Sequence, residues 1–396
     1  MNAETTMPVL KLKPKEERRL QFGHCWVFSN ELSVVDTALK AGSLCKVIGH
    51  AAQPVGVGFF NPHSLISVRL LTRGAAELEP DFVSKRLKAA IDYRKSLGLG
   101  KFCRLCFSEA DNLPGLIVDG YGDYLVVEFL SAGMDNLKAE VLSALDSLCK
   151  PKGILLKNDS EFRKLEGLAC GQEIIGEVPD VIFAEEDGLK YTFPVKTGQK
   201  TGFYYDQREN RLFLAPFFKG RRVLDLYSYV GGFALRAAAS GAGQVWGVES
   251  SKTAVEFAEK NAELNGFSGR VVFHKADAEE TLNAFAKKEL PETPDFVVLD
   301  PPNLVKNRKN LTNALKLYVR LNELALRGLP SGGFLATANC SHHVSREMFE
   351  GILARASARA GRKTVLVEFR GQAKDHPVLV GMPETSYLQF ALLRVL

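Results

Sequence analysis

The chain has 396 residues, of which 46% are apolar, and its formal net charge is +5 at pH 7. This length allows two or three domains, and the composition is that of an ordinary globular protein, which excludes disordered and collagen-like classes. No stretch approaches 18 uninterrupted apolar residues and the N-terminus lacks a secretory signal, so we expect a cytoplasmic protein without a membrane segment; the mild positive charge permits a nucleic-acid partner.

The cysteines give the second global signal. There are seven, an odd number, and they are scattered along a long chain. This distribution favours reduced thiols over a disulfide framework, in agreement with a cytoplasmic location.

Residues 1–75 contain short apolar segments separated by turn residues, which predicts a small, barrel-like β domain. Basic residues and aromatic residues alternate between the first two of these segments. Basic groups can hold phosphates while aromatic rings stack bases, so the pattern suggests RNA; the alternative is a charged helix followed by core aromatics. The residues concerned are Lys13, Lys15, Arg18, Arg19, Phe22, Trp26 and Phe28.

Two segments of this region carry a family resemblance. GHCWVFSNEL and GVGFFNPHSLISVRLLTR resemble the PUA domain found at the front of one group of RNA methyltransferases. PUA domains are compact RNA-binding barrels. The resemblance therefore implies that residues 1–75 form an RNA-binding PUA domain.

Residues 76–190 mix helical and strand patterns, which predicts a middle α+β domain. Amphipathic helices are expected over 80–99 and 134–149. Cys103 and Cys106 form a C-x-x-C pair, but no second pair follows at ligand spacing and the segment alternates like a strand. We therefore predict no metal site.

The segment SEADNLPGLIVD places three acids, Glu109, Asp111 and Asp119, close together. They are either catalytic or the acid-capped turns of a hairpin. The segment also resembles the EADxLPGLxVD signature of the same methyltransferase group, which implies that this domain helps to shape an RNA cleft.

Residues 191–396 contain RRVLDLYSYVGGFALRAAASGAGQVWGVE, which reads as strand, glycine turn, helix and strand. In a right-handed βαβ unit the carboxyl ends of both strands face one crevice, so Asp225, Gly231 and Glu249 should converge there. Glu249 could accept both hydroxyls of a ribose. The alternative is a tight connection followed by a solvated acid; a phosphate-binding P-loop and the strict G-x-G-x-x-G pattern are both absent.

A third acid, Asp277, follows the next predicted strand and suits the amine of adenine. Acids at three successive strand ends are the arrangement of class I S-adenosylmethionine methyltransferases. The predicted fold is therefore α/β, a doubly wound class I methyltransferase sheet over residues 191–396, preceded by the small β-barrel and the α+β domain.

The preceding segment, TFPVKTGQKTGFYYDQRENR, resembles the loop that lies over S-adenosylmethionine in this group. Its alternative is the capping turn of a solvated helix. The resemblance implies cofactor-binding roles for Lys200, Thr201, Asp206 and Arg208. Along the sheet edge we also predict cofactor-binding roles for Tyr227, Ser228, Gly231, Ser250, Ala278, Asp300 and Pro301.

Asp300-Pro301-Pro302 ends another buried strand and indicates methyl transfer to a planar nitrogenous base. Adenine N6 enzymes usually place an aromatic residue after the prolines, whereas Asn303 stands here. Cytosine carbon-5 enzymes need a thiolate, because carbon 5 becomes nucleophilic only after carbon 6 has been attacked. This chemistry requires a cysteine near the base.

Cys340 ends the next predicted strand, FLATANCS. Taken alone it is more often a core residue, but neighbouring strands would bring it beside Asp300. The segment resembles the cysteine-bearing motif of RNA cytosine carbon-5 methyltransferases, although Asn339 replaces the commoner Thr or Ser. His342 and His343 follow, either as loop residues or as groups that tune the thiolate or take the carbon-5 proton.

The resemblance covers essentially the whole chain, in the domain order of the large-subunit ribosomal RNA cytosine carbon-5 methyltransferases. It implies an enzyme that forms 5-methylcytidine with S-adenosylmethionine, with Cys340 and Asp300 as catalytic residues and RNA as partner. Methylation of another base, such as adenine N6, and a non-catalytic RNA-binding relic remain the alternatives. Monomer and homodimer both stay open.

Overall fold

The computed structural model describes residues 7–34, 39–198, 201–305 and 308–396. Residue contacts divide the chain into two units. The first unit comprises Met1–Asp180, Val195–Gly202 and Asp375–Thr385, and the second comprises Val181–Pro194, Phe203–Lys374 and Ser386–Leu396. The predicted boundary after residue 75 falls inside the first unit, and the one after residue 190 falls inside a strand of the second. The two domain boundaries therefore stay a prediction.

The first sheet of the first unit is built from short strands. Alternate side chains of these strands point into the core, where Leu10, Leu12 and Val47 are buried. Its strand order is β2-β6-β5-β4-β1-β3, with β1 and β4 parallel. The elements are β1 (Val9–Leu12), the short helix α1 (Arg18–Gln21), β2 (Trp26–Phe28), β3 (Leu32–Val34), β4 (Ser43–Ile48), β5 (Pro54–Phe60) and β6 (Ile66–Leu70).

The second sheet of this unit has the order β11-β10-β9-β8-β7, and helices cover part of it. The single helix expected over 134–149 is broken at Leu137 into two, the first of which is capped by the Ser131 hydroxyl. The elements are α2 (Phe82–Ser96), β7 (Phe102–Phe107), β8 (Leu116–Tyr121), β9 (Tyr124–Phe129), α3 (Ala132–Asn136), α4 (Lys138–Cys149), β10 (Gly153–Asn158), α5 (Glu161–Leu165) and β11 (Gly171–Gly176).

The second unit has a hairpin of β12 and β13 and a seven-stranded sheet of order β16-β15-β14-β17-β18-β20-β19. Helices connect its strands. The elements are β12 (Val181–Glu186), β13 (Leu189–Pro194), α6 (Arg208–Phe218), β14 (Arg222–Leu226), α7 (Gly232–Ala239), β15 (Gln244–Glu249), α8 (Lys252–Leu264), β16 (Val271–Lys275), α9 (Ala278–Ala286), β17 (Phe296–Leu299), α10 (Leu311–Gly328), β18 (Phe334–Asn339), α11 (Arg346–Ala360), β19 (Thr364–Arg370) and β20 (Gln389–Val395).

Strands β14 to β18 are all parallel, so their carboxyl ends meet at one edge of the sheet. The chain order reverses between β14 and β17, which makes that edge the expected crevice for a ligand. β17 and β18 are buried along their whole length, as the apolar runs FVVL and FLATAN require. The predicted doubly wound α/β fold is confirmed. Within the described parts of the chain, no helix is both long and apolar enough to cross a membrane.

Candidate active site

The connection between β14 and α7 adopts an unusual backbone conformation. Tyr227, Tyr229 and Gly231 have φ angles of 63°, 48° and 92°. Left-handed conformations are costly for bulky residues, and they cluster at sites where the surrounding structure imposes them. A Cβ at position 231 would stand 2.9 Å from the ring of Phe273, so this position requires glycine. The loop is thus held in a strained shape at the edge of the sheet.

Asp225 lies inside β14, one residue before its end, and is 1% exposed. Its Oδ2 accepts a hydrogen bond from the Ala234 N–H at 2.9 Å, at the start of α7. Its Oδ1 and the hydroxyl of Ser228 are buried and have no hydrogen-bond partner in the described structure. Burial raises the pKa of Asp225, and the nearby carboxyls of Asp300 and Glu249 add to the increase. These two unsatisfied polar atoms are available to a ligand.

Two further acids are oriented by the backbone. The Glu249 carboxylate accepts hydrogen bonds from the N–H groups of Tyr229 (3.1 Å) and Ser251 (2.9 Å) and from the hydroxyl of the exposed Ser250 (3.3 Å). Asp277 caps α9 by accepting two of its first N–H groups at 2.8 and 2.9 Å. Neither acid forms an ion pair with a described Lys or Arg. Each carboxylate is therefore oriented by the backbone and is not neutralised by a described Lys or Arg side chain.

Tyr227 follows β14 directly and is partly buried. Burial raises its pKa to about 12, and Asp277, Glu279 and Glu249 contribute to the increase. The buried Ala278 follows Asp277 directly at the start of α9. The predicted residues of these three strand ends therefore lie within electrostatic reach of one another.

Tyr204 is a site residue that the sequence analysis did not single out. Burial raises the pKa of its phenol, and the next causes are Asp206, Asp300, Cys340 and Glu249, in that order. Tyr204 thus lies near the predicted cofactor acids and near the predicted nucleophile. Its only sequence signal was an aromatic residue in a loop rich in hydrogen-bonding side chains.

Asp300 and Cys340 follow directly after β17 and β18, which are neighbouring parallel strands. Both side chains are half-buried. The Cys340 thiol faces the carbonyl oxygen of Pro301, and its Sγ lies 4.0 Å from that oxygen. A planar base held by Asp300 would therefore have a thiol beside it.

The residues of the predicted cofactor loop are divided between the two units. Lys200 lies outside the described residues. Thr201 belongs to the first unit, where its buried hydroxyl donates a hydrogen bond to Asp119. The Thr201 hydroxyl thus has a protein carboxylate as its partner, and the cofactor role implied for Thr201 stays a prediction.

Asp206 and Arg208 lie in the second unit and are both buried. The Tyr387 hydroxyl donates a hydrogen bond of 2.7 Å to Asp206 Oδ2. Arg208 Nε lies 3.5 Å from the Glu186 carboxylate. These contacts give both residues protein partners, and the cofactor roles implied for them stay predictions.

The three acids of SEADNLPGLIVD are ion-paired within the first unit. Each faces an arginine that is largely buried, so the charges are neutralised inside the fold. This favours the structural alternative over a catalytic one. The pairs are Glu109 with Arg69 (2.7 Å), Asp111 with Arg94 (2.6 Å) and Asp119 with Arg104 (2.7 Å).

The aromatic residues of the first sheet differ in their availability for RNA. The Arg69 guanidinium lies over the Trp26 ring at 5.3 Å, and the Arg19 guanidinium lies over the Phe28 ring at 4.8 Å. Phe22 is 73% exposed. Of the three predicted stacking residues, Phe22 therefore presents the open surface, while the other two rings have arginines packed against them.

Comparison with known proteins shows which family this chain belongs to. Residues 10–73 match the PUA-like domain, and residues 156–365 match the S-adenosylmethionine-dependent methyltransferase family. The ribosomal RNA large subunit methyltransferase I of Shewanella denitrificans is 36% identical over 395 residues, covering 98% of this chain and 99% of the relative. The chain belongs to the ribosomal RNA large subunit methyltransferase I family. The Salmonella newport member is 35% identical over 397 residues, covering 98% of each chain.

Solved structures agree on the fold of this family member. A candidate S-adenosylmethionine-dependent methyltransferase from Streptococcus mutans covers 98% of this chain and 100% of its own, with a TM-score of 0.82 and 20% identity. A candidate methyltransferase complexed with SAH gives a TM-score of 0.85 at the same identity and coverage. The methyltransferase fold predicted from the sequence is confirmed.

The methyltransferase uses S-adenosylmethionine as its cofactor, and the residues of the sheet edge fit it. The unsatisfied Asp225 Oδ1 and Ser228 Oγ can receive polar groups of a ligand. Glu249 and Asp277 are oriented by backbone N–H groups and are not paired with a described Lys or Arg. A ligand that carries a positive sulfonium and a positive ammonium group relieves the accumulation of negative charge there.

Proposed function

We propose that this methyltransferase forms 5-methylcytidine in large-subunit ribosomal RNA through a covalent adduct of Cys340. The observation that carries the proposal is the position of the Cys340 thiol, 4.0 Å from the Pro301 carbonyl and beside Asp300 on the next strand. A thiolate next to a base-holding acid is what cytosine carbon-5 chemistry requires. The names of the relatives, ribosomal RNA large subunit methyltransferase I, support the substrate.

S-adenosylmethionine supplies the electrophilic methyl group. In our proposal Glu249 accepts hydrogen bonds from the ribose hydroxyls and Asp277 accepts one from the adenine amine. Asp225 Oδ1 and Ser228 Oγ take the polar groups that reach into the strained loop. Gly231 lets the backbone approach the cofactor closely.

Two residues act on the base. Asp300 holds the cytosine, either by accepting a hydrogen bond from the amino group as a carboxylate or by donating one to N3 when protonated. Cys340, as thiolate, adds to carbon 6 and makes carbon 5 nucleophilic. After methylation, carbon 5 loses its proton and the carbon–sulfur bond breaks, which restores the aromatic ring and releases Cys340. A base in structured RNA must first be extruded from its stack, at a cost of a few kcal/mol.

RNA binding is assigned to the first unit. The PUA-like match over residues 10–73 and the exposed Phe22 support this role. We keep the domain boundaries at 1–75, 76–190 and 191–396, since a separate sheet forms most of each. A ribosomal RNA substrate and cysteines without disulfides fit a cytoplasmic enzyme.

A second copy of the chain is the proposed protein partner. β19 is the outer strand of the seven-stranded sheet, and its Val365, Leu366 and Val367 are 40–47% exposed. An apolar edge strand can pair with another chain. Light scattering coupled to size exclusion should give a dimer mass for the native protein and a monomer mass for Val367→Lys; a monomeric native protein contradicts the proposal.

The chemical proposal is tested by methylating an unmodified large-subunit ribosomal RNA transcript with methyl-labelled cofactor and digesting the RNA to nucleosides. Label should appear in 5-methylcytidine with wild-type protein and with Cys170→Ala, which removes an exposed cysteine. Cys340→Ala should give none while it still binds cofactor. Label in N6-methyladenosine, or turnover by Cys340→Ala, contradicts the proposal.

A further inference from the structure

The sheet order constrains where the carbon-5 proton can leave, given the proposed cytosine chemistry. β17 lies between β14 and β18, so Asp300 stands between the cofactor loop and Cys340. A base held by Asp300 then has the methyl donor on its β14 side and sulfur on its β18 side. When sulfur and methyl add from opposite faces, the hydrogen on carbon 5 turns towards the sulfur face. Its acceptor must therefore lie on the Cys340 side.

The loop after β18 provides an ionisable group on that side. His342 is two residues beyond Cys340 and solvent-exposed, and its ring packs against the Tyr387 ring with 5.4 Å between centroids and a 43° interplanar angle. His343, the next residue, is also exposed, but in its described contact the backbone N–H donates a hydrogen bond to the Ser341 hydroxyl at 3.4 Å. Of the two histidines, His342 is the one with an aromatic support.

That support is itself fixed. The Tyr387 hydroxyl donates to Asp206 Oδ2 at 2.7 Å, and Asp206 is 4% exposed. The Asp206 carbonyl accepts the Ala373 N–H at 2.9 Å. Asp206 also lies near Tyr204, and burial together with Asp206, Asp300 and Cys340 raises the pKa of the Tyr204 phenol. The histidine is thus held on a buried scaffold that belongs to the predicted site, while its exposed edge can pass a proton to water.

We infer that His342 accepts the carbon-5 proton, with Tyr387 and Asp206 as positioning residues. The carbon 5–hydrogen bond breaks and the proton moves to a nitrogen of the neutral imidazole. The released electron pair forms the carbon 5–carbon 6 double bond, and the carbon 6–sulfur bond breaks as Cys340 leaves as thiolate. No other reactant is needed.

The test is a single-turnover reaction of the full chain with methyl-labelled cofactor and an unmodified large-subunit ribosomal RNA transcript, followed by a denaturing protein gel. Loss of a positioned base slows a proton transfer by about 100-fold or more. His342→Ala should therefore accumulate a labelled covalent protein–RNA band, and added imidazole should release it. Wild type and His343→Ala should show no lasting band.

The positioning residues give a graded outcome. Tyr387→Phe keeps the ring but loses the bond to Asp206, so the band should persist for a shorter time than in His342→Ala. Tyr387→Ala, which removes the ring support, should retain the band longer than Tyr387→Phe. Bands of equal lifetime in the two Tyr387 variants contradict the positioning role.

Failure of this inference differs from failure of the proposed function. The inference is wrong if His342→Ala and His342→Gln release product within about threefold of the wild-type rate, or if they block methyl transfer without forming a band. It is also wrong if His343→Ala forms the same band. The cytosine proposal itself fails if wild-type protein is not trapped by the same transcript containing 5-fluorocytidine, whose carbon 5 carries no removable proton.

Discussion

The acids of the two units have different partners. In the first unit Glu109, Asp111 and Asp119 each face an arginine. In the second unit Glu249 and Asp277 accept hydrogen bonds from backbone N–H groups at the ends of parallel strands, and neither is paired with a described Lys or Arg. A neutralised acid is part of the scaffold, whereas an oriented acid that keeps its charge can serve a ligand. The groups that contact an acid therefore distinguish a structural carboxylate from a ligand-binding one, although the side chain is the same.

The largest expected effect is on the stability of the first unit. Asp119→Ala leaves the Arg104 guanidinium without its carboxylate, and breaking a buried pair costs about 3–5 kcal/mol. Urea unfolding should show this loss. Asp123→Ala is the control, because its pairs with Lys101 and Lys152 are exposed to solvent and contribute little to stability. Equal losses in the two variants contradict the scaffold role of Asp119.

The next effect is on cofactor affinity. Glu249→Ala removes a charged acceptor, which should weaken S-adenosylmethionine binding by about 1.5–3 kcal/mol, roughly 10- to 150-fold. Calorimetry measures the change, and Glu256→Ala on the exposed face of α8 is the control. If Glu249→Ala binds S-adenosylmethionine as tightly as wild type and the control does too, the cofactor does not bind at this strand end.

A pH effect should belong to the first unit. Burial raises the pKa of the half-buried Glu128 from 4.5 to about 7, with Asp119 and Asp159 adding to the shift and Arg104 opposing it. Between these two values the folded protein binds more protons than the unfolded chain, so stability falls as the pH rises from about 4.5 to 7. Glu128→Gln should remove this loss in urea titrations at several pH values. An unaltered pH profile contradicts the assignment.

The smallest expected stability change is at Asp225. Burial already raises its pKa and favours the neutral form, and an asparagine oxygen can still accept the Ala234 N–H. Asp225→Asn should therefore change the free energy of unfolding by about 1 kcal/mol or less, while it weakens cofactor binding. A loss of the size expected for Asp119→Ala would show that Asp225 is a scaffold acid, and the comparison would fail.

Local pattern was sufficient to locate the parallel strands that carry the candidate site. The apolar runs located the parallel strands, and the residues at their ends gave Glu249, Asp277, Asp300 and Cys340, because parallel strands end at one edge. Even here the boundary mattered: Asp225 lies inside β14, where its carboxylate reaches the first turn of α7.

The remaining contacts join residues that are far apart in the sequence. Tyr387 binds Asp206 across 181 positions, and Arg94 reaches the backbone of Asp375 across 281. Periodicity describes one element at a time, so it cannot identify these partners. For the same reason the sequence predicts Trp26 as a stacking residue, whereas in the structure the Arg69 guanidinium packs on its ring.

The central claim is that one cytidine binds between Asp300 and Cys340. The direct measurement is covalent trapping on large-subunit ribosomal RNA containing 5-fluorocytidine, in the presence of S-adenosylmethionine. Fluorine on carbon 5 cannot leave as a proton, so wild-type protein should form a band that survives denaturation, and Cys340→Ala should form none. A band of equal intensity with Cys340→Ala, or no band with a wild-type protein that methylates the unsubstituted RNA, would contradict the account.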